Sequence, residues 1–373
     1  MTPPPPLEEP LPVTVLTGFL GSGKTTLLTR LVASPAAGEL AVIVNELGEI
    51  PLDHHLVRRV DESTLLLDGG CLCCSLRDDL VAGLRELAAK RESGAVPAFG
   101  RVVIETTGLA DPAPIVHTLI RDPMAGFFYR LDGLVATVDA VNGLDTLTAH
   151  EEAVKQAAMA DRLLITKPDL ADAARLAALE AALRQLNPAA PLYRVAQGEI
   201  DPALLFNAGL YNAETKSMQV RRWLAAEAYE AAAAAEPRQG HDHHHDHDHD
   251  HDHHHDHDHP PHHPDLRHGS GIQAVCLTRE APVAWDRLAA WLETMILTHG
   301  SQLLRVKGIV NAEGESAPIA VHGVQHLFHP PVQLEAWPDL DRRTRLVIIA
   351  KGLDRETLER SLASFVGADR PAA

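Results

Sequence analysis

The segment Val13-Thr-Val-Leu-Thr-Gly-Phe-Leu-Gly-Ser-Gly-Lys-Thr-Thr26 limits what this chain can fold into more than any other. Its apolar start reads as a buried β-strand, and Thr26-Leu-Leu-Thr-Arg-Leu-Val32 reads as the helix that follows. Between them, Gly18, Gly23, Lys24 and Thr25 fit the phosphate-loop pattern G-x-x-x-x-G-K-[ST], with Gly21, Ser22 and Thr26 in the same turn. Glycines let backbone N–H groups turn inward around phosphate oxygens, and the helix N-terminus adds partial positive charge. Lys24 is then expected on the β- and γ-phosphates and the Thr25 hydroxyl on Mg²⁺.

A chain of 373 residues can bury a sizeable core and is expected to form two or three domains. Its formal charge of −18 argues against a nucleic-acid partner. No apolar run is long enough for a membrane span. Residues 1–11 are Pro-rich, lack the regions of a secretory signal and are expected to be a disordered leader. Of four Cys, three lie in Cys71-Leu-Cys-Cys74, which is no secreted disulfide framework, so a cytoplasmic protein is expected.

Strand-like runs at Leu40–Val44, Arg101–Ile104, Leu131–Val138, Arg162–Ile165 and Pro191–Val195 alternate with helical patterns at Leu76–Arg91, Ile115–Ile120 and Asp172–Gln185. This alternation predicts an α/β fold, a P-loop domain over 12–212 with a mostly parallel sheet and helices on both faces. A helix and a His/Asp-rich, disordered linker are expected over 213–270, with the low-complexity tract running from His241 to His263. Residues 271–368 predict a smaller C-terminal α+β domain, with strands at Ile272–Thr278, Leu303–Val310, Ala317–Val321 and Arg345–Ala350 and helices at Ala284–Leu297 and Arg355–Val366.

Thr166-Lys-Pro-Asp169 ends a strand, and Asp169 can accept from guanine's ring N–H and its exocyclic amino group. The Lys167 stem can lie on the base while its ammonium stays hydrated. Glu105-Thr-Thr-Gly108 ends a central strand, where Glu105 can hold a metal-bound water and Gly108 can offer its N–H to a γ-phosphate; the bland alternative is a capped turn. Cys71, Cys73 and Cys74 suit a borderline cation such as Zn²⁺ and leave a position open for transfer, the alternatives being redox or inert thiols. The His/Asp tract reads as a metal reservoir or relay, or as a solvated spacer. Cys276 reads as core, and His322, His326 and His329 as surface or packing residues.

Gly18-Phe-Leu-Gly-Ser-Gly-Lys-Thr-Thr26, Asn45-Glu-Leu-Gly-Glu49, Cys71-Leu-Cys-Cys74, Glu105-Thr-Thr-Gly-Leu-Ala-Asp-Pro112 and Thr166-Lys-Pro-Asp169 stand in a recognisable order. In this order the chain resembles the CobW-like, zinc-chaperone branch of the metallochaperone P-loop GTPases, from Pro12 to Val366. Arg305-Val-Lys-Gly308 and the His-rich linker add to the likeness. The resemblance implies a GTPase that uses GTP and Mg²⁺ and delivers Zn²⁺, with Co²⁺ or Ni²⁺ as alternative ions, to a client metalloprotein; a homodimer stays open. It implies catalytic roles for Lys24, Glu105 and Glu46. It implies metal contacts for Cys71, Cys73, Cys74, Thr25, Glu46, Glu49, Glu105 and His117. Cobalt delivery for corrin biosynthesis and a metal buffer with a non-hydrolytic nucleotide site are the competing readings. Thr166 stands where that family often has Asn, and Leu47 where Phe is common.

Overall fold

The computed structural model describes residues 9–44, 66–68, 76–208 and 271–367. Glu46, Glu49, Cys71, Cys73, Cys74 and the His/Asp tract lie outside the described residues.

The chain opens with β1 (Leu11–Gly18), α1 (Lys24–Val32), β2 (Leu40–Val44), β3 (Leu66–Asp68), α2 (Leu76–Glu92) and β4 (Arg101–Glu105). It continues through α3 (Ala113–Arg121), α4 (Pro123–Phe128), β5 (Tyr129–Asp139), α5 (Gly143–Ala149), α6 (Glu151–Met159), β6 (Arg162–Thr166), α7 (Ala173–Leu186) and β7 (Leu192–Val195). The strands form one seven-stranded sheet in the order β3-β2-β4-β1-β5-β6-β7. Every pairing in it is parallel. β1 sits between β4 and β5, so the connections leave it in opposite directions and open a crevice at its carboxyl end.

Both faces of this sheet are covered, which is why its strands read as nearly unbroken apolar runs. Alternation along β4 divides the core: Val103 faces Leu27, Leu28 and Leu31 of α1, while Val102 and Ile104 join Leu84, Leu87, Leu119, Val154 and Leu179 on the other side. β5 starts at Tyr129, two residues before the expected Leu131, because Tyr129 and Arg130 still pair with Leu11 and Pro12 of β1. The Asp132 carboxylate is buried but satisfied by the Arg101 guanidinium, the Thr14 hydroxyl and the Asn207 N–H.

The second part holds β8 (Ile272–Arg279), α8 (Trp285–His299), β9 (Leu303–Val310), β10 (Ile319–Val324), β11 (Leu327–Phe328), β12 (Val332–Gln333), β13 (Thr344–Lys351) and α9 (Arg355–Val366). Its strands run β11-β10-β9-β13-β8, with β12 on β10, and all pair antiparallel. One face packs on α8 and α9 around Trp291, Leu288 and Leu358. The other face, with Cys276, Ile309, Val347 and Ile349, merges with the core of the first sheet. β10 runs on to Val324 rather than ending at Val321, since buried His322 continues the strand.

Arg305-Val-Lys-Gly308 acquires a physical meaning at this contact. A Cβ on Gly308 would stand 2.4 Å from Leu346 Cδ2, so only glycine lets β9 lie this close. Arg305 and Lys307 reach across to Asp161, just before β6, with Lys307 Nζ 3.0 Å from its Oδ1. Arg305 also donates to the Met159 carbonyl at 3.1 Å, and Leu134 N–H donates to Asp161 Oδ2 at 3.0 Å. Against the cost of burial, the two cations hold the Asp161 carboxyl down at about 2. Burial pushes the Lys307 ammonium down to about 8 despite Asp161, and Arg305 adds to the push. His322 and His329 stack at 4.6 Å beside this cluster. Burial and the Arg305 charge keep both rings neutral, His329 down to about 3.

Candidate functional site

β1 delivers its last residue, Gly18, against the neighbouring strand, where a Cβ would stand 2.2 Å from Thr137 Oγ1 and 2.7 Å from Ser22 Oγ. The loop that follows curls over this contact. Ser22 and Thr137 hydroxyls lie 2.7 Å apart, and Ser22 N–H donates to the Phe19 carbonyl at 3.1 Å. Gly21 and Gly23 turn the chain into α1, whose first residues are Lys24, Thr25 and Thr26. Lys24 is buried in the loop mouth, its Nζ donating to the carbonyls of Gly18 at 2.9 Å and Phe19 at 3.2 Å.

The register Leu16↔Glu105 places the last residue of β4 beside the loop. Glu105 is buried, and its Oε1 accepts from the Thr25 hydroxyl at 3.1 Å. A hydroxyl and a carboxylate side by side are hard oxygen donors and fit Mg²⁺. Thr106 then ties the chain to β1, its N–H to the Leu16 carbonyl at 2.9 Å and its hydroxyl to Thr17 Oγ1 at 2.9 Å. At Gly108 the segment meets the phosphate loop, and a Cβ there would stand 2.6 Å from the backbone N of Leu20.

The next wall of the crevice is built by β6. The Thr166 hydroxyl lies 2.7 Å from the Ser22 carbonyl and 3.3 Å from that of Val138, with one proton to give. Thr at this position therefore joins β6 to the phosphate loop with a single hydroxyl. Lys167 is held in the left-handed region at φ 53°. Its Nζ donates to the Gly21 carbonyl at 2.8 Å and to Asp139 Oδ2 at 2.7 Å. Burial alone would raise the Asp139 carboxyl, but Lys167 and the N–H groups of Val141 and Asn142 outweigh it and hold it below its usual range. Asp169 is exposed and accepts from Gln197 Nε2 at 3.3 Å.

The residues gathered here come from the carboxyl ends of β1, β4, β5 and β6, at the crevice that the strand order creates. Sequence reasoning missed Thr137, Asp139 and the loop at Gln197. Thr137 and Asp139 carry no motif and become visible only through strand neighbours. Gly198 is the signal for the loop, since a Cβ there would stand 2.9 Å from the Thr26 carbonyl.

His117 stands apart from this group, on α3 at the contact with the second sheet. Its Nε2 lies 3.1 Å from the Val324 carbonyl and its ring meets His326 edge-on at 4.4 Å. Burial lowers its pKa, against the pull of the Val324 carbonyl. Among the described residues no group of three or more His, Cys, Asp or Glu is arranged to hold a metal ion. No helix among them is long and apolar enough to cross a membrane.

Residues 12–194 match the family model for the CobW/HypB/UreG nucleotide-binding domain, and residues 272–366 match the cobalamin synthesis protein cobW C-terminal domain. The chain is 31% identical over 357 residues to the zinc chaperone YjiA of Escherichia coli, covering 96% of this chain and 99% of that protein. It is also 31% identical to the zinc chaperone CobW of Pseudomonas aeruginosa, over 94% and 90% of the two chains. The crystal structure of Zn(II)-bound YjiA GTPase from E. coli superposes with a TM-score of 0.66 at 28% identity, over 96% of this chain and 99% of that one. With the phosphate loop, the β4 carboxylate and the Thr166–Asp169 segment after β6 at one sheet edge, the chain belongs to the CobW/HypB/UreG family of P-loop GTPases.

Proposed function

We propose that this GTPase is a zinc metallochaperone, which binds the ion at Cys71, Cys73 and Cys74 and passes it to a client apo-metalloenzyme under the control of GTP. The observation that carries the reading is the Thr25–Glu105 contact at the mouth of the phosphate loop. Asp68, three residues before the cysteine triplet, closes β3 at the same edge of the sheet. Lys24 and the loop's N–H groups bind and orient the β- and γ-phosphates, and Asp169 selects guanine. Thr25 and Glu105 would hold Mg²⁺, which when bound neutralises charge on the phosphates. Gly108 offers its N–H at the γ-phosphate side. Glu46 and Glu49 act in the nucleotide-sensitive segment, and His117 serves at most as a further contact for the carried ion. If GTP and the thiolates favour the same ordered state, each tightens binding of the other by the same factor, and hydrolysis removes that coupling.

The test is zinc affinity by competition with a chromophoric chelator, using protein lacking the tract from His241 to His263. A GTP analogue with Mg²⁺ is expected to tighten one site about 5- to 150-fold over the GDP state. Cys73→Ser is expected to remove that site. Equal affinity in the nucleotide-free, GDP and GTP-analogue states would replace this reading with the metal-buffer one.

Base selection has its own test. Asp169→Asn leaves guanine's amino group facing a donor, so GTP affinity is expected to fall about 5- to 150-fold, equivalent to roughly 1–3 kcal/mol. Xanthine carries a carbonyl where guanine has that amino group, so XTP is expected to bind the variant better than GTP does. Competition titration with the two nucleotides checks this, and an unchanged preference for GTP removes Asp169 from the base site.

A further inference from the structure

Beside the phosphate loop and Glu105 lies a buried amide that the roles above do not use. Gln156, on α6, is only 1% exposed. Its Nε2 donates to the Gly108 carbonyl at 3.1 Å and to the Ala110 carbonyl at 3.0 Å. Among the described residues its Oε1 meets no donor. The amide orientation is therefore forced, because turning it over would set its oxygen against two carbonyl oxygens.

These two bonds fix peptide planes in the segment that follows Glu105. In a trans peptide the carbonyl of one residue and the N–H of the next point in opposite directions. Holding the carbonyls of Gly108 and Ala110 thus sets the N–H groups of Leu109 and Asp111. The Gly108 N–H lies in the preceding plane, whose Thr107 carbonyl accepts from the Ala110 N–H at 3.2 Å, so the held stretch closes a turn on it, and Gly108 itself has no room for a Cβ against Leu20. The start of the segment is already tied to β1 through Thr106. Its end is tied through Asp111, which accepts from the Ala113 N–H at 2.9 Å and from Gln325 of the second sheet at 3.0 Å. Gln156 supplies the missing middle.

The helix that carries Gln156 is itself held at both ends. At its start, the His150 ring stacks on Phe19 of the phosphate loop at 4.4 Å. Glu151 pairs with Lys351 of β13 at 2.8 Å. At its end, the Met159 carbonyl and the Asp161 carboxylate are gripped by Arg305 and Lys307. A donor on a helix fixed against both the phosphate loop and the second sheet is a rigid reference for the loop it holds.

We propose that Gln156 is a positioning residue for GTP hydrolysis, holding the Gly108–Ala110 backbone in register with the phosphate loop from a helix anchored to the second domain. The proposal rests on the reading of Gly108 as a γ-phosphate contact.

The test compares Gln156→Glu, which keeps the shape and loses the donors when ionised, with Gln156→Met, which keeps volume and helix propensity but has no donors. Phosphate release gives kcat and KM for GTP, and a fluorescent GDP analogue reports nucleotide affinity. Both variants are expected to lose kcat about 10- to 100-fold with KM and GDP affinity within about threefold. A carboxyl buried against two carbonyls has a raised pKa, and its protonated form donates one bond. Gln156→Glu should therefore recover activity between pH 8 and pH 6 while Gln156→Met does not. A kcat within twofold of the parent in both variants overturns the proposal. So does a parallel loss of GDP affinity, or a Gln156→Glu defect that ignores pH. If the unaltered protein shows no GTP turnover that Lys24→Ala removes, the GTPase reading fails instead, and the two failures are distinct.

Discussion

Lys24→Ala is expected to lower GTP turnover at least about 100-fold, the scale seen when one preorganised charge-stabilising donor is removed from a reaction site. The ammonium is buried in the loop mouth and held by the carbonyls of Gly18 and Phe19, so its position is set before nucleotide arrives. Phosphates entering the loop replace those carbonyls as acceptors, and the charge then faces oxygens that become more negative as the γ-phosphoryl group leaves. Alanine keeps the helix, because α1 is anchored by Leu27, Leu28 and Leu31 and not by this side chain. The fold should melt within a few degrees of the parent while phosphate release disappears. A variant that melts normally and keeps more than a tenth of the parent turnover removes Lys24 from the reaction.

The second large effect is on stability. Arg305→Met takes one cation from a carboxylate whose side chain is 3% exposed, leaving Asp161 with Lys307 and the Leu134 N–H, and the Met159 carbonyl without the Arg305 donor. Breaking one partner out of a buried ion cluster costs about 3–5 kcal/mol. At an unfolding entropy of about 2.1 cal/mol/K per residue, that is a fall in Tm of roughly 4–9 °C for a body of this size. The cluster also carries an acid dependence. Asp161 is depressed in the folded state, to about 2, so its contribution is complete above the ordinary carboxyl pKa near 4 and is lost as pH falls from about 4 to about 2. In Arg305→Met that loss should begin at the same pH, which the unfolded chain sets, but be smaller and end at higher pH, because the carboxyl is held down less. Thermal melts of both proteins between pH 3 and pH 7 check the two statements. A Tm within about 2 °C of the parent, with the same acid limb, means that the cluster does not hold the two sheets together.

What could be read from the chain alone follows distance along it. The phosphate loop, the Glu105 strand end and the Thr166–Asp169 turn are local patterns, and the structure brings them to one crevice because parallel strands all end on the same side. The Asp161–Arg305 contact joins residues 144 apart, and no local pattern marks an aspartate as the partner of a distant arginine. Gln156 was equally silent, since one polar residue on an otherwise apolar helix face looks like an edge position until the two carbonyls facing it are known. β5 begins at buried Tyr129, ahead of its apolar run, because Arg130 breaks the pattern between them, and β10 runs past Val321 to Val324 through buried His322.

β6 joins both halves of the molecule within five residues. Asp161 at its entrance answers the cations of the second domain, and Thr166 at its exit holds the phosphate loop. A strand of that length is a strut of about 17 Å with little compliance. The second domain is therefore not an interchangeable module. A chimera that joins it to another nucleotide-binding domain inherits two buried cations, and it folds only if the recipient carries its own carboxylate at the foot of the equivalent strand.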